Sequence, residues 1–252
     1  MTLQMRSAVV TGSTSGIGKA IAMRLLASGY AVVLNYSNDH QRAAQALAQC
    51  QAVSPNVTLV QADISDPASA GRLVERAVSE SGRLDVLVNN AAQALDKPAI
   101  DMTENDWDRV FNVNLKGAFM CSQYAARQML QQDQGGTILN IGASTGIRGR
   151  RNGVNTCASK AGLMMMTQCL ALELGPKIRV NTIVPGLVVT DEAQQRFNLS
   201  DPRVRQARID AVPMNRLGTP DDVANAVMIL LSEEAGFISG QKLFVDGGQN
   251  MW

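Results

Sequence analysis

The chain has 252 residues, 46% of them hydrophobic and 18% charged, with 23 lysines and arginines against 22 acids and a formal charge of +1. That length suits one large α/β domain with a full core, and the near-neutral balance excludes the electrostatic footprint of a nucleic-acid binder or an acidic tail, leaving small molecules as the expected partners. No apolar run reaches membrane-spanning length and the opening "MTLQMR" lacks the layout of a secretory leader, so a soluble cytoplasmic protein without membrane contact is expected.

The first apolar run, "SAVVTG" (7–12), is flat and β-branched, as a strand covered on both faces should be. It leads into a glycine turn, G-x-x-x-G-x-G at Gly12, Gly16 and Gly18, and then into helical spacing over 18–28. Such a turn lets backbone approach a pyrophosphate and aims helix amides at it, although glycines after a strand also serve as plain packing devices. Further strands are predicted at 30–36, 56–63, 84–90, 136–142, 178–186 and 242–248. Helical spacing falls between most of them, over 41–50, 67–81, 104–130, 158–174 and 220–231, the last capped by Thr219 with Pro220 in its first turn. This βαβ alternation predicts a single α/β domain built on a doubly wound parallel sheet of seven strands flanked by helices. The polar stretch 189–213, punctuated by Pro202 and Pro213, reads as a helical lid over a substrate. Cys50, Cys121, Cys157 and Cys169 have no paired metal-ligand spacing and His40 is the only histidine, so no metal is expected and the thiols read as small packing groups.

"TGSTSGIG" (11–18), "NNAA" (89–92), "FNVNLKGAF" (111–119), "ASK" (158–160) and "PGLVVT" (185–190) follow the order and spacing of the short-chain dehydrogenases/reductases. Over essentially its whole length the chain most resembles the bacterial 3-oxoacyl-carrier-protein reductase type. The resemblance implies a Rossmann-type sheet, an NAD(P)-dependent oxidoreductase and a homo-oligomer, tetramer or dimer, packed through two long helices and a C-terminal segment ending at Trp252. Carried over by position, it implies Gly12, Ser13, Ser15, Gly16, Ile17 and Gly18 around the cofactor phosphates and adenosine ribose, and Asp63 and Ile64 at the adenine. Asn90, Ala91 and Lys160 then fall at the nicotinamide ribose, and Val188 and Thr190 at the carboxamide beside Pro185 and Gly186. Ala92 fills a usual glycine position. Asn35 stands where NAD enzymes carry an acid, and an uncharged amide does not repel a 2′-phosphate. With Arg42 or Lys19 supplying positive charge, NADP(H) is favoured over NAD(H).

The family's catalytic set is Asn, Ser, Tyr and Lys. Asn114 matches the first and Lys160 the last, but four residues before Lys160 stands Thr156 and thirteen before that Ala143. Ser144 comes one residue late on a strand end and points the other way. Gly153 occupies the position of the tyrosine used by the family's enoyl reductases, and Tyr30, Tyr36 and Tyr124 are far along the chain. Hydride delivery to a ketone creates an alkoxide that must be protonated. A positioned acid is worth about 10²–10⁴ in rate and an oxyanion donor about 10²–10³, so ordinary carbonyl reduction should be severely impaired.

Three readings remain open. One is a reductase whose substrate needs no tyrosine acid, a protonated imine or an activated alkene. Another is a cofactor-binding pseudoenzyme that assembles with an active relative as a hetero-oligomer. The third is a non-redox cyclase or isomerase that reuses the pocket. Asn114 also reads simply as a helix-bulge packing residue. Arg148, Arg150 and Arg151 mark either an anion site at the substrate mouth or a solvated loop. Cys157 should face away from the Thr156 position, and Met164, Met165 and Met166 read as helix packing or subunit interface.

Overall fold

A computed structural model describes residues 5–251, so the expected subunit contact at Trp252 lies outside the described residues. The strands are β1 (Ser7–Val10), β2 (Ala31–Tyr36), β3 (Val57–Gln61), β4 (Val86–Asn89), β5 (Gly136–Ile141), β6 (Ile178–Pro185) and β7 (Lys242–Val245). They pair in parallel in the order β3-β2-β1-β4-β5-β6-β7. The chain winds outward from β1 to β3, returns to β4 beside β1, and winds the other way, so the topological switch falls between β1 and β4. Ligands of such sheets bind beyond the carboxyl ends of the strands at that crevice.

The helices are α1 (Gly16–Ala27), α2 (His40–Gln51), α3 (Pro67–Ser81), α4 (Glu104–Phe111), α5 (Ala118–Leu130), α6 (Val154–Leu174), α7 (Asp191–Arg196), α8 (Pro202–Asp210) and α9 (Pro220–Leu231). Both sheet faces are covered because each strand alternates between two cores. Ala8, Val10, Val32 and Leu34 pack with Ile21 and Leu25 of α1 and Val223 and Val227 of α9. Val9, Val33 and Leu87 pack on the other side with Leu73 of α3 and Ala125 and Met129 of α5. This two-sided burial explains the unbroken apolar strands of the sequence. Among the described residues no helix is long and apolar enough to cross a membrane.

Two helical expectations change in detail. The segment 104–130 is not one uniform helix: between α4 and α5 lies a π-helical stretch, Asn112–Gly117. At its end a Cβ on Gly117 would stand 2.6 Å from the Ile64 carbonyl, so close approach to the loop after β3 requires glycine there. α6 begins at Val154, four residues before the apolar spacing suggested. The cap at Thr219 forms as expected, reinforced by a capping box with Asp222, which Arg216 also holds at 2.7 and 2.8 Å. Cys50 and Cys121 are buried packing groups, but Cys157 is half-buried and Cys169 exposed.

Candidate active site

The site starts where β1 meets β4. The Thr11 hydroxyl accepts from the backbone amides of Asn90 and Ala91, both at 3.0 Å, and Asn90 Nδ2 donates back to the Thr11 and Gly12 carbonyls at 2.9 and 3.0 Å. These bonds tie the first turn to the end of β4 across the switch point. Gly12 has φ +60°, and a Cβ there would lie 2.9 Å from Ala91 Cα; one on Gly18 would strike Asn90 Nδ2 and the Gly12 carbonyl. The glycines therefore serve the chain's own packing as well as any ligand's approach. At the N-terminus of α1 the Ser15 side chain makes no capping bond, whereas Asp39, Asp66, Thr103 and Thr219 cap their helices. The first amides of α1 are left to an acceptor supplied from the cleft.

One cleft of about 1050 Å³ runs along this edge. It is lined by every expected cofactor position except Ser13, from the glycine turn through Asp63, Ile64, Asn90 and Ala91 to Lys160, Pro185, Gly186, Val188 and Thr190. Ser13 is fully buried and its hydroxyl accepts from the Asn35 amide at 2.9 Å, so it braces β2; Thr14 lines the cleft in its place. Asn35 is also redirected. Only 2% exposed, it accepts from the Gly12 amide at 3.0 Å and donates to the Ala62 carbonyl at 2.9 Å. Its amide stitches β1, β2 and β3 together, and the rim beyond it is formed by Tyr36, Ser37, Asn38, Asp39 and Arg42. Of the two candidate cations, Arg42 borders the cleft and pairs with Asp39 at 3.1 Å, while Lys19 turns away to Gln49.

At the other end, β5 delivers Ile141, Gly142 and Ala143 to the cleft. The chain then makes a 3-10 turn, Ser144–Gly146, that folds back on α6: a Cβ on Gly146 would sit 2.8 Å from Ala161 N. Lys160 projects from α6 into the cleft, 6% exposed, and donates from Nζ to the Ile141 carbonyl at 2.7 Å. Burial alone pulls its ammonium from 10.5 to about 8, because the charged form loses hydration with no carboxylate to repay it. Thr156 does not line the cleft; its hydroxyl and amide both turn to Asn155 Oδ1, at 3.4 and 2.7 Å. Ser144 and Cys157 do not reach the cleft either.

Asn114, expected among the catalytic groups, is 1% exposed in the π-helical stretch and stands behind the cleft wall. It accepts from the Gln93 amide at 2.7 Å and donates to the Gln93 carbonyl and Ser159 hydroxyl at 2.9 and 3.1 Å. The bulge aims this amide at the loop after β4. The arginine loop is likewise rearranged. Arg150 meets both Asp96 oxygens at 2.5 and 2.6 Å, and Arg196 of α7 meets the same carboxylate at 2.7 and 2.8 Å. Arg150 is spent on that contact and does not line the cleft; Arg196 and Arg109, singled out by no motif, do.

Residues 12–250 match the family model described as enoyl-(acyl carrier protein) reductase. The chain is 37% identical over 247 residues to the 3-oxoacyl-[acyl-carrier-protein] reductase FabG of Staphylococcus aureus, with 98% of each covered. It is 36% identical over 250 residues to a Bacillus subtilis protein named "Probable 2,4-dienoyl-CoA reductase", with 98% of this chain and 97% of that one covered. A solved short-chain dehydrogenase from Bacillus anthracis superposes with TM-score 0.86 at 32% identity, covering 98% of this chain and 97% of its own. A structure from Sinorhizobium meliloti 1021 reaches 0.90 at 33% identity with the same coverage. The chain therefore belongs to the short-chain dehydrogenase/reductase family of nicotinamide-dependent oxidoreductases. The open amides of α1, the packed glycine turn and the length of the cleft fit a nicotinamide dinucleotide.

Proposed function

We propose that this protein is a reductase that prefers NADP(H) and acts on a double bond needing no phenolic acid, either an activated alkene or a protonated imine. The observation that carries this reading is the composition of the cleft's inner end. Lys160 and the expected dinucleotide bed line the cleft, while Ala143 offers no donor and Thr156 does not line it, its amide held by Asn155 Oδ1 at 2.7 Å and its hydroxyl 3.4 Å from the same oxygen. A bound reduced nicotinamide supplies a hydride. The chain's own residues do the rest: the amides of α1 hold the pyrophosphate, Lys160 holds the ribose beside the nicotinamide, and Asn114 fixes the Gln93 backbone bordering the cleft. An iminium carbon already carries its charge, and the carbanion left by an enone or enoyl thioester can take its proton from water. Neither demands the missing tyrosine. The names of the family model and of the Bacillus subtilis relative point to carbon–carbon double bonds.

The NADP(H) preference rests on Tyr36, Ser37 and Asn38 following β2 in place of an acid, and on Arg42 bordering the cleft where a 2′-phosphate would compete with Asp39 for its guanidinium. We place residues 189–213 over the substrate end as a lid, with α7 contributing Arg196 and Phe197 to the cleft. A homo-oligomer would cover Met165, Leu172 and Phe237, which are 59%, 85% and 105% exposed. Four free cysteines suit a reducing cytoplasm. The test is fluorescence titration with NADPH and NADH, then single-turnover oxidation of bound NADPH with ketones, cyclic imines and enones. Tighter NADPH binding and turnover with imines or enones are expected, with ketones slower by about 10²–10⁴. No binding of either nucleotide, or ketones reduced as fast as enones, would refute the reading.

A further inference from the structure

Lys160 is placed unlike the other lysines. It is enclosed on α6 at the inner end of a large cleft, its only hydrogen-bond partner among the described residues is a neutral carbonyl, Ile141 O at 2.7 Å, and no carboxylate pairs with it. The neighbouring positions from which a hydroxyl could share its proton are an alanine, Ala143, and a threonine turned toward Asn155. Lys116, Lys177 and Lys242 are by contrast exposed to solvent. An amine that is desolvated and unpaired, yet open to a ligand cleft, is the arrangement that makes lysine a nucleophile toward carbonyl carbon.

We propose that Lys160 is a covalent site for small aldehydes and ketones, which it captures as a Schiff base when the nucleotide is absent from the cleft. The neutral Nζ attacks the carbonyl carbon, a C–N bond forms, and the carbonyl π pair moves onto oxygen. Oxygen then leaves as water with the two amine protons, giving an imine with no change of oxidation state. Condensation acidifies the C–H bonds next to the former carbonyl. It therefore gives the cleft a route to isomerisation or decarboxylation of carbonyl compounds that uses neither of the missing hydroxyls. With its pKa near 8, about a tenth of Lys160 is neutral at pH 7, against about 3 in 10⁴ for an ordinary lysine, an advantage on the order of 10².

The test uses the full chain at pH 7 without nucleotide, treated separately with acetone and benzaldehyde in the presence of cyanoborohydride, followed by peptide mapping. The expected result is alkylation of Lys160 at least tenfold faster than of Lys116, Lys177 or Lys242, with Lys160→Arg losing that product alone. Alkylation spread over the exposed lysines, with Lys160 spared by both reagents, would overturn the proposal. The same experiment repeated with saturating NADPH separates this site from the reductase reading. Protection of Lys160 supports both, whereas selective labelling that NADPH leaves untouched supports the covalent site and counts against the cofactor placement.

Discussion

Replacing Asp96 by asparagine should release α7 from the rest of the site. The side chains of Asp96, Arg150 and Arg196 are 34%, 22% and 25% exposed, so the cluster lies between two regimes. Exposed ion pairs contribute about 0–1 kcal/mol, while removing one partner of a buried pair costs about 3–5. Asparagine keeps the shape and one acceptor oxygen but sets an NH₂ against a guanidinium. Solvent screening at these exposures puts the loss at about 1–2 kcal/mol, or about a 5–30-fold rise in local opening. Hydrogen exchange followed by mass spectrometry reads this directly at the amides of Gln194 and Phe197, bonded to the Thr190 and Ala193 carbonyls at 2.8 and 3.0 Å. The wild-type chain in 1 M salt should move part of the way toward the variant, because half-exposed charges are screened. Unchanged protection over α7, or equal acceleration in every segment, would refute the argument that Asp96 fastens this helix.

Two further outcomes follow from the inner end of the cleft. The double variant Ala143→Ser with Thr156→Tyr should raise kcat/KM for ketones by about 10²–10⁴ with NADPH affinity kept; no gain in a variant that still binds NADPH would mean the fold no longer presents position 156 to the substrate. Lys160→Met isolates the charge linkage. The folded state holds the Lys160 proton less tightly than the unfolded chain, so between pH 8 and 10.5 the unfolded state binds more protons and wild-type stability rises with pH. Across that window wild type should gain about 3 kcal/mol on the variant by urea unfolding. Cys121, pushed up to about 12 by burial, works in the opposite direction but cancels in the difference, and a pH-independent gap would show that Lys160 titrates normally.

The strands, their two-sided burial and the glycine turn were legible because spacing and β-branching act locally. Side-chain direction was not. Ser13 and Asn35 sit within cofactor motifs, yet both spend their polar atoms on the backbone of neighbouring strands, a choice made by pairings 22 to 27 residues away in sequence. Asn114 sits in a π-helical stretch, the bulge its packing reading expected, but its pairing with the Gln93 backbone 21 residues away was not legible. The contact between Arg196 and Asp96 spans 100 residues, and nothing in either stretch marks the two as partners. The expectation that Ala143 and Thr156 stand in place of an acid needs only the residues that precede Lys160. That the Thr156 hydroxyl is also turned away required the structure.

This last contact bears on whether the site is an eroded one. A catalytic centre losing its function by drift should leave buried donors and acceptors without partners, each costing about 1–3 kcal/mol. Here Asn155, fully buried, donates to the Leu95 and Asp106 carbonyls at 3.2 Å and accepts from both the amide and the hydroxyl of Thr156. Lys160 has its carbonyl, and Ser159 its bonds to Asn114 and the Thr156 backbone. Among the described residues the single buried side-chain polar atom left unpaired is Asn89 Oδ1, at the end of β4 rather than on α6. The start of α6 is thus fully satisfied around threonine at position 156 and clamps α4 and the loop after β4 through Asn155. Such consistency is what the proposed working site requires, and a site in decay would not be expected to keep it.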